Sequence, residues 1–366
     1  MSKVKLIIVG GFLGAGKTTL LARTRRELAA QGKKCGLVTN DQAPDLVDTI
    51  WLSDDLGAVR EVSGSCFCCN FNGFAAALQN LAEQGAEVII AEPVGSCTDL
   101  SATILQPLKD KHGLEYDPAP FTVLLDPDRA REVLGLKKSS LHPDALYILE
   151  RQLAEADRIL LNKADLLSEE QINDLRAGLE SSFPGAAPRA ISARAGRGVP
   201  EWLADMLSAK EAAGGRLIEV DYDRYANGEA VLGWLNLRAD TPPAAAADGV
   251  GYLSDFMNRL RWKLLDTGFE VGHVKVLLSS PQGRYMVNLI DNEREPVIST
   301  VDGDPGAESG DLIINARVEC EPEALEKLVR ETLAEAKPTG APPLVKEIHC
   351  LKPGRPNPTY RYDQVI

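Results

Sequence analysis

Residues 11–18 of the chain have the sequence Gly11-Phe12-Leu13-Gly14-Ala15-Gly16-Lys17-Thr18. The apolar run from Val4 to Val9 before this stretch predicts a buried strand, and the run from Thr18 to Ala22 predicts the start of a helix. Glycines between a strand and a helix let consecutive backbone N–H groups surround phosphate oxygens, and the helix N-terminus adds a favourable dipole. The pattern and its position are those of a P-loop, and the alternative is an ordinary glycine turn.

The P-loop pattern assigns a role to each of its functional positions. Lys17 is expected to reach the β- and γ-phosphates of a nucleoside triphosphate, and the Thr18 hydroxyl is expected to hold Mg²⁺. The remaining phosphate contacts are expected from Gly14, Ala15, Gly16 and Thr19. The P-loop by itself predicts only that some nucleoside triphosphate binds.

Composition and charge narrow the class of protein. The chain has 366 residues, 44% hydrophobic and 5% aromatic, which favours parallel sheets covered by helices over an all-β fold. The formal net charge of −13 argues against a nucleic-acid-binding surface, because binding a phosphate backbone requires a basic surface. Lys3 and Lys5 interrupt the only apolar run of residues 1–10, so no signal peptide is predicted, and no stretch is long enough to cross a bilayer. We expect a cytoplasmic protein with no nucleic-acid or membrane partner.

The order of strands and helices predicts an α/β fold. Strands alternate with helices through Lys210, which predicts a doubly wound, mostly parallel sheet with its ligand at the carboxyl ends of the strands. We expect a P-loop GTPase domain at residues 1–213, a linker at 214–228 and a smaller C-terminal α+β domain at 229–366. The order of elements in that second domain makes a ferredoxin-like arrangement one candidate.

Two local features are predicted outside the strands. The segment after Asn40-Asp41-Gln42 is polar and weakly periodic through Trp51 and Asp54-Asp55, which predicts a mobile loop. Asp99 precedes a helical pattern that runs to about Lys111, which predicts that Asp99 caps this helix.

A second nucleotide motif, Asn162-Lys163-Ala164-Asp165, lies at the end of the predicted strand Arg158 to Leu161. It matches the NKxD signal by which P-loop GTPases read guanine. A carboxylate can accept hydrogen bonds from both the N1–H and the exocyclic amine of guanine, and adenine offers no matching pair of donors. Ser192-Ala193-Arg194, also at a strand end, resembles the loop that backs the base in such proteins. The motifs favour GTP, and the alternative is a charged loop that opens a helix.

Acidic residues follow two other predicted strands. Glu92 ends the strand Val88 to Ala91, where an acid can approach the shell of a bound Mg²⁺, and Gly95 can offer its N–H to the γ-phosphate. Asp41 can orient the attacking water or a metal-bound water. The structural alternatives are a turn that enters a helix for Glu92 and an Asx-turn for Asp41.

A cysteine cluster, Cys66-Phe67-Cys68-Cys69, is the other chemically informative stretch. The chain has seven cysteines, an odd number that is not typical of a disulfide framework. Thiolate ligands suit Zn²⁺, Cu⁺ and related ions, and three of them leave one position for a further ligand. Cys97 is a candidate fourth ligand or a small buried residue, and the cluster itself can be coincidental or redox-active. In the C-terminal half His273 and the His349-Cys350 pair are the only candidate ligands, and a lone histidine there is more often structural.

The motifs taken together resemble the CobW-like metallochaperone GTPases of the SIMIBI class, relatives of the urease and hydrogenase accessory GTPases. The resemblance rests on four motifs in order over residues 4–210: GFLGAGKTT, Cys-x-Cys-Cys, Glu-x-x-Gly and Asn-Lys-x-Asp. It implies nucleotide and Mg²⁺ roles for Lys17, Thr18, Glu92, Asn162 and Asp165, and metal ligation by Cys66, Cys68 and Cys69.

The resemblance implies a GTP-binding and GTP-hydrolysing protein that transfers a metal to a client protein. Zn²⁺ is the default cargo, with Co²⁺ or Fe²⁺ as alternatives. A second hypothesis is a G-protein chaperone that remodels a cofactor-dependent enzyme, for example one that uses cobalamin, without metal transfer. A kinase-like phosphotransferase is a third. The sequence leaves the client and the oligomeric state open, with a homodimer as one option.

Overall fold

The computed structural model describes residues 3–44, 47–52, 58–242, 249–280, 283–303, 310–336 and 342–366, without the side chains of 299–303. The chain forms two compact units, each assembled from separate stretches of sequence. The first unit comprises Met1–Gln42, Leu52–Gly228 and Arg355–Ile366, and the second comprises Ala43–Trp51 and Glu229–Gly354. No helix in the described part of the chain is long and apolar enough to span a membrane.

The first unit is built on a parallel sheet. Its strands are β1 (Val4–Gly11), β2 (Cys35–Asn40), β3 (Val59–Val62), β4 (Val88–Glu92), β5 (Tyr116–Pro118), β6 (Thr122–Leu125), β7 (Arg158–Leu161) and β8 (Arg189–Ala190). The spatial order is β3-β2-β4-β1-β6-β7-β8, and β5 pairs with β1. Every pairing among these strands is parallel. The predicted doubly wound α/β fold is confirmed, because the chain extends the sheet on both sides of β1.

Helices connect these strands. In chain order the helices of both units are α1 (Lys17–Ala30), α2 (Val47–Leu52), α3 (Phe71–Glu83), α4 (Gln106–His112), α5 (Pro127–Val133), α6 (Pro143–Glu155), α7 (Glu169–Ser182), α8 (Val199–Ser208), α9 (Tyr222–Ala230), α10 (Gly249–Thr267) and α11 (Pro322–Glu335). All five residues of β4 and all four of β6 are buried, as expected for parallel strands with both faces covered.

The second unit carries an antiparallel sheet. Its strands are β9 (Gly233–Thr241), β10 (Val271–Ser280), β11 (Gly283–Leu289), β12 (Val297–Gly303), β13 (Gly310–Val318) and β14 (Leu344–Leu351). They lie in the order β12-β11-β10-β13-β9-β14. Without the β11–β12 extension, the chain order β9-α10-β10-β13-α11-β14 and the spatial order β10-β13-β9-β14 are those of a ferredoxin-like fold. The expectation of a smaller α+β domain is confirmed.

The predicted loop after Gln42 is wrong in one part, because Val47–Leu52 is the helix α2. Side chains of α2 pack on Leu277, Met286 and Ile313 of the second unit's sheet. The Val47 N–H donates to Asn315 Oδ1 at 2.7 Å. These tertiary contacts stabilise a helix too short to form alone, and the sequence pattern does not reveal them. Asp54 and Asp55 lie outside the described residues.

The predicted cap at Asp99 is also wrong. Asp99 adopts a φ of 64°. The π-helical turn after it, Ser101–Leu105, has Leu100 as its N-cap residue and no side-chain cap. The Asp99 carboxylate instead accepts hydrogen bonds from Tyr222 at 2.7 Å and Arg361 at 2.8 Å. The Asp99 side chain therefore bonds to residues remote in sequence instead of to the backbone N–H groups of the helix that follows it.

Candidate nucleotide and metal site

The P-loop joins β1 to α1 and holds Lys17 at a buried position. Gly16 ends the turn with a φ of 97°, a conformation that favours glycine, and a Cβ there would collide with the side chain of Asn162. The ammonium of Lys17 donates to the carbonyls of Gly11 at 2.9 Å and Phe12 at 3.3 Å. Phosphate oxygens would offer this ammonium charged acceptors, which form stronger hydrogen bonds than neutral carbonyls.

Glu92 meets the P-loop from the end of β4. Its Oε1 lies 3.9 Å from Lys17 Nζ and 3.5 Å from Thr18 Oγ1. A hydroxyl and a carboxylate are oxygen donors of the kind that Mg²⁺ prefers, so the residues present fit this ion. A Cβ on Gly95 would lie 3.2 Å from Lys17 Nζ and 2.7 Å from Leu13 Cδ2. The turn after β4 therefore passes directly beside the P-loop.

A buried side chain on α6 holds this turn in place. Gln152 Nε2 donates to the carbonyls of Gly95 at 3.0 Å and Cys97 at 2.8 Å. The segment from Gly95 to Cys97 is thereby fixed to one amide group. Sequence reasoning missed Gln152, because nothing in the local pattern distinguishes it from other polar residues of an amphipathic helix.

Asn162 connects the P-loop to the loop after β8. Its Nδ2 donates to the carbonyl of Ala15 at 2.8 Å, and its Oδ1 accepts from the Ala193 N–H at 2.9 Å. Ser192, also buried, accepts from the Ala195 N–H at 3.0 Å. Three sequence-predicted segments thus meet at one side chain.

The other residues of the guanine motif differ in burial: Ala164 is buried, Lys163 is half-buried and Asp165 is exposed. Lys163 adopts a φ of 58° and precedes the short 3-10 turn Ala164–Leu166, and the Ala164 N–H donates to the carbonyl of Ile191 at 3.0 Å. Asp165, within this turn, is exposed. The Asp165 side chain is therefore open to solvent.

Asn40, the last residue of β2, and Asp41, which follows it, make different contacts. Asp41 is buried, and its Oδ1 accepts from the Gln42 N–H at 2.6 Å. Asn40 Nδ2 donates to the carbonyls of Val62 at 2.7 Å and Ser65 at 2.9 Å, and its Oδ1 accepts from the Phe67 N–H at 2.9 Å. Asn40 therefore holds the loop that carries the cysteines, a role that sequence reasoning missed. The signal available was its place at a strand end beside Asp41.

The three clustered cysteines converge. Cys66 Sγ lies 3.0 Å from Cys68 Sγ, which lies 3.9 Å from Cys69 Sγ, and the three sulfur atoms are all within 4.8 Å of one another. Cys66 and Cys68 are buried and Cys69 is half-buried. Among the described residues, this is the one group of three or more cysteine, histidine, aspartate or glutamate side chains whose ligand atoms lie this close together. His273 and His349 lie on β10 and β14 of the second unit.

The thiols share hydrogen bonds that shift their pKa values in opposite directions. Hydrogen bonds from Cys68, then Cys69 and Cys97, hold the pKa of Cys66 well below its ordinary value of 9.0. Hydrogen bonding to Cys66 raises the pKa of Cys68, and the same cause raises the pKa of Cys69 to about 11. Cys66 is thus the thiol of the cluster that ionises most readily, and a bound cation would favour loss of the other protons. Cys97 is 2% exposed, and hydrogen bonding to it contributes to the pKa shifts of both Cys66 and Cys68.

Comparison with known proteins agrees with this architecture. The family profile described as the nucleotide-binding domain of CobW/HypB/UreG matches residues 5–187. Zinc chaperone CobW of Pseudomonas aeruginosa is 26% identical over 250 residues, which cover 61% of this chain and 65% of that protein. Zinc chaperone YjiA of Escherichia coli is 27% identical over 192 residues, covering 50% of this chain and 57% of that protein. The matches thus span less than two thirds of each relative.

Among solved structures, the Zn(II)-bound YjiA GTPase of E. coli aligns with 92% of this chain and 100% of its own, at 19% identity and a TM-score of 0.39. The fold and the site define a P-loop nucleotide-binding protein with a cluster of thiols. The chain belongs to the CobW/HypB/UreG family, whose nucleotide-binding domain matches half of it.

Proposed function

We propose that this protein is a GTP-hydrolysing metallochaperone that binds a transition metal at Cys66, Cys68 and Cys69 and delivers it to a client protein. The observation that carries the proposal is that one turn connects the P-loop to the thiol cluster. We call this turn, residues 95–97 after β4, the shared turn. It approaches Lys17 at Gly95 and the thiol cluster at Cys97, and the Gln152 amide donates hydrogen bonds to the carbonyls of both Gly95 and Cys97. The names of the two zinc chaperone relatives support Zn²⁺ as the cargo, with Co²⁺ and Fe²⁺ as alternatives.

GTP is the substrate of the first step. Asp165 accepts hydrogen bonds from the guanine base, and Lys17 binds the β- and γ-phosphates. Thr18 and Glu92 would hold Mg²⁺, which supplies positive charge beside the phosphates. Asp41 orients a water that attacks the γ-phosphorus. The bond from that phosphorus to the β,γ-bridging oxygen breaks, and the products are GDP and inorganic phosphate.

Hydrolysis alters the shared turn. With GTP bound, the Gly95 N–H meets the γ-phosphate, and after hydrolysis this contact is lost. Because Gln152 ties Gly95 to Cys97, the change reaches the thiols that contact Cys97. Asn40, next to Asp41, is a second connection, since it bonds to the backbone of the cysteine loop at Ser65 and Phe67. Metal affinity therefore depends on the nucleotide.

The decisive experiment is metal analysis of protein prepared with GDP and with a non-hydrolysable GTP analogue. We expect one equivalent of zinc, an affinity that differs between the two nucleotides, and no stoichiometric metal after Cys66→Ser, Cys68→Ser and Cys69→Ser together. Cys35→Ser is the matched control, because Cys35 is also a buried thiol but belongs to β2. Wild-type protein that takes up no zinc with either nucleotide would refute the proposal.

Nucleotide choice is tested separately by competition between GTP and ATP. Asp165→Ala removes the carboxylate that accepts from guanine and should reduce the preference for GTP by about tenfold or more. Exposed Asp174 on α7 offers a control, Asp174→Ala, with the same loss of charge. Equal affinity of the wild-type protein for GTP and ATP would contradict the guanine assignment.

A further inference from the structure

An extended segment of the first unit, Arg355–Ile366, lies against the cysteine loop. We call it the C-terminal strap. The Asn357 N–H donates to Cys69 Sγ at 3.3 Å. The Thr359 N–H donates to the Cys68 carbonyl at 2.8 Å, and the Thr359 hydroxyl donates to the Cys69 carbonyl at 3.0 Å. Three hydrogen bonds thus join the strap to two consecutive cysteines.

The strap is anchored beyond the cysteines by aromatic and charged contacts. The Tyr360 ring meets Phe71 edge-on, with 5.3 Å between ring centroids. The Arg361 guanidinium donates to the carboxylate of Asp99 at 2.8 Å, and the Asp99 side chain is only 1% exposed. A buried carboxylate without a cationic partner is unfavourable in free energy, so the ion pair with Asp99 stabilises the docked position of Arg361. The strap thereby connects the cysteine loop to the turn two residues beyond Cys97.

The sequence of the strap keeps it extended. Pro356 and Pro358 each fix φ and exclude a helix, so the segment loses little conformational entropy when it docks. A docked extended chain can hold a neighbouring loop in one conformation. It can also leave as a unit without unfolding a helix or a strand.

We propose that the C-terminal strap is a component of the metal site: Asn357, Thr359 and Arg361 position Cys69 and retain the bound metal, and release to an acceptor requires the strap to lift. This proposal rests on the proposed function, because it requires a metal at the three cysteines. Arg361 is a positioning residue, since it acts through Asp99 and not on the metal itself.

The first test compares two arginines of the strap in the full chain loaded with Zn²⁺. Arg361→Ala removes the cationic partner of buried Asp99. Arg355→Ala removes an equal charge from an exposed ion pair with Asp223. The readout is the rate at which a chromogenic chelator takes zinc from the protein. We expect about tenfold faster transfer for Arg361→Ala, the factor expected when a hydrogen bond between charged groups is lost, and no change for Arg355→Ala. Arg361→Lys should restore part of the retention.

The second test changes the bond to Cys69 itself and does not depend on the fold of the Arg361 variant. Asn357→Pro deletes the N–H that donates to Cys69 Sγ, and Asn357→Ala keeps it. Faster zinc transfer for the proline variant alone supports the proposal. Wild-type transfer rates for both Asn357→Pro and Arg361→Ala would overturn it while leaving the metallochaperone function intact. Absence of zinc binding in the wild-type protein would instead refute the proposed function on which the strap depends.

Discussion

The side-chain amide of Asn162 donates a hydrogen bond to the backbone carbonyl of Ala15 at 2.8 Å. Most strands of the parallel sheet lie between the two residues in the sequence. This hydrogen bond nevertheless joins the P-loop directly to the guanine motif. A residue assigned to the base by its motif therefore also supports the phosphate loop.

Asn162→Ala removes this bond and leaves the Ala193 N–H without its side-chain acceptor. Two lost hydrogen bonds of about 1 kcal/mol each predict that nucleotide binding weakens by about ten- to a hundredfold. Calorimetric titration with GDP measures the affinity. Asn173→Ala, at an exposed position of α7, is the control. An unchanged affinity would mean that the bridge is not needed for binding.

Gly95→Ala tests the approach of the shared turn to the P-loop. The new methyl group would crowd Leu13 and the ammonium of Lys17. Because small displacements of groups that bind the reacting phosphate are costly, we expect the rate of GTP hydrolysis to fall about ten- to a hundredfold. Gly215→Ala is the matched control, since its nearest neighbour, Asp157 Oδ1, would be 3.6 Å from the added Cβ. Equal steady-state rates for the two variants would argue against the role of Gly95.

Cys97→Ser tests whether the turn after β4 supplies a fourth ligand. Cys97 hydrogen-bonds to Cys66 and Cys68, so we expect zinc in the wild-type protein to have four sulfur neighbours. The serine variant should have three sulfur neighbours and one oxygen or nitrogen neighbour. X-ray absorption at the zinc edge distinguishes the two sets. Three sulfur neighbours in the wild-type protein would exclude Cys97 as a ligand.

Glu155→Gln tests a buried carboxyl at the end of α6. The Glu155 side chain is fully buried and accepts from Thr98 Oγ1 at 3.1 Å and the Ser101 N–H at 2.9 Å. Burial raises the pKa of Glu155 from 4.5 to about 8. The folded protein therefore holds this proton up to about pH 8, whereas the unfolded chain loses it near pH 4.5.

It follows that wild-type stability falls as the pH rises from about 5 to above 8. A glutamine cannot ionise, so the variant should gain on the order of 4 kcal/mol in unfolding free energy relative to wild type across this window. Urea unfolding at both ends of the window measures the difference, with exposed Glu170→Gln as control. A parallel pH dependence in wild type and Glu155→Gln would show that the carboxyl titrates normally.

Much of the first unit could be predicted because its signals are local. The P-loop and the strands Val4–Gly11 and Val88–Glu92 each depend on residues close together in sequence. Such local signals can be recognised in the sequence without knowledge of the tertiary structure. The fold class followed from the order of these elements.

The features that could not be predicted depend on distant partners. Helix α2 packs on β10, β11 and β13, which lie more than two hundred residues later in the chain, and Asp99 is paired with Arg361 instead of capping its own helix. Residues 353–358 contain three prolines and are extended, but no local pattern indicates that the segment docks on the cysteines. Asn40 and Gln152 were missed for the same reason, since their acceptors are backbone carbonyls that no motif specifies.

The interleaving of the two units has a consequence for how the protein is made. A ribosome produces the cysteine loop early, then all of Glu229–Gly354, and only afterwards the strap that belongs to the first unit. During translation Cys69 is therefore present without the N–H of Asn357, and Asp99 without Arg361. The nascent chain must pass through an interval in which its thiols are more open than in the finished protein. Closure of the cysteine loop by the strap therefore cannot precede synthesis of residues 355–366.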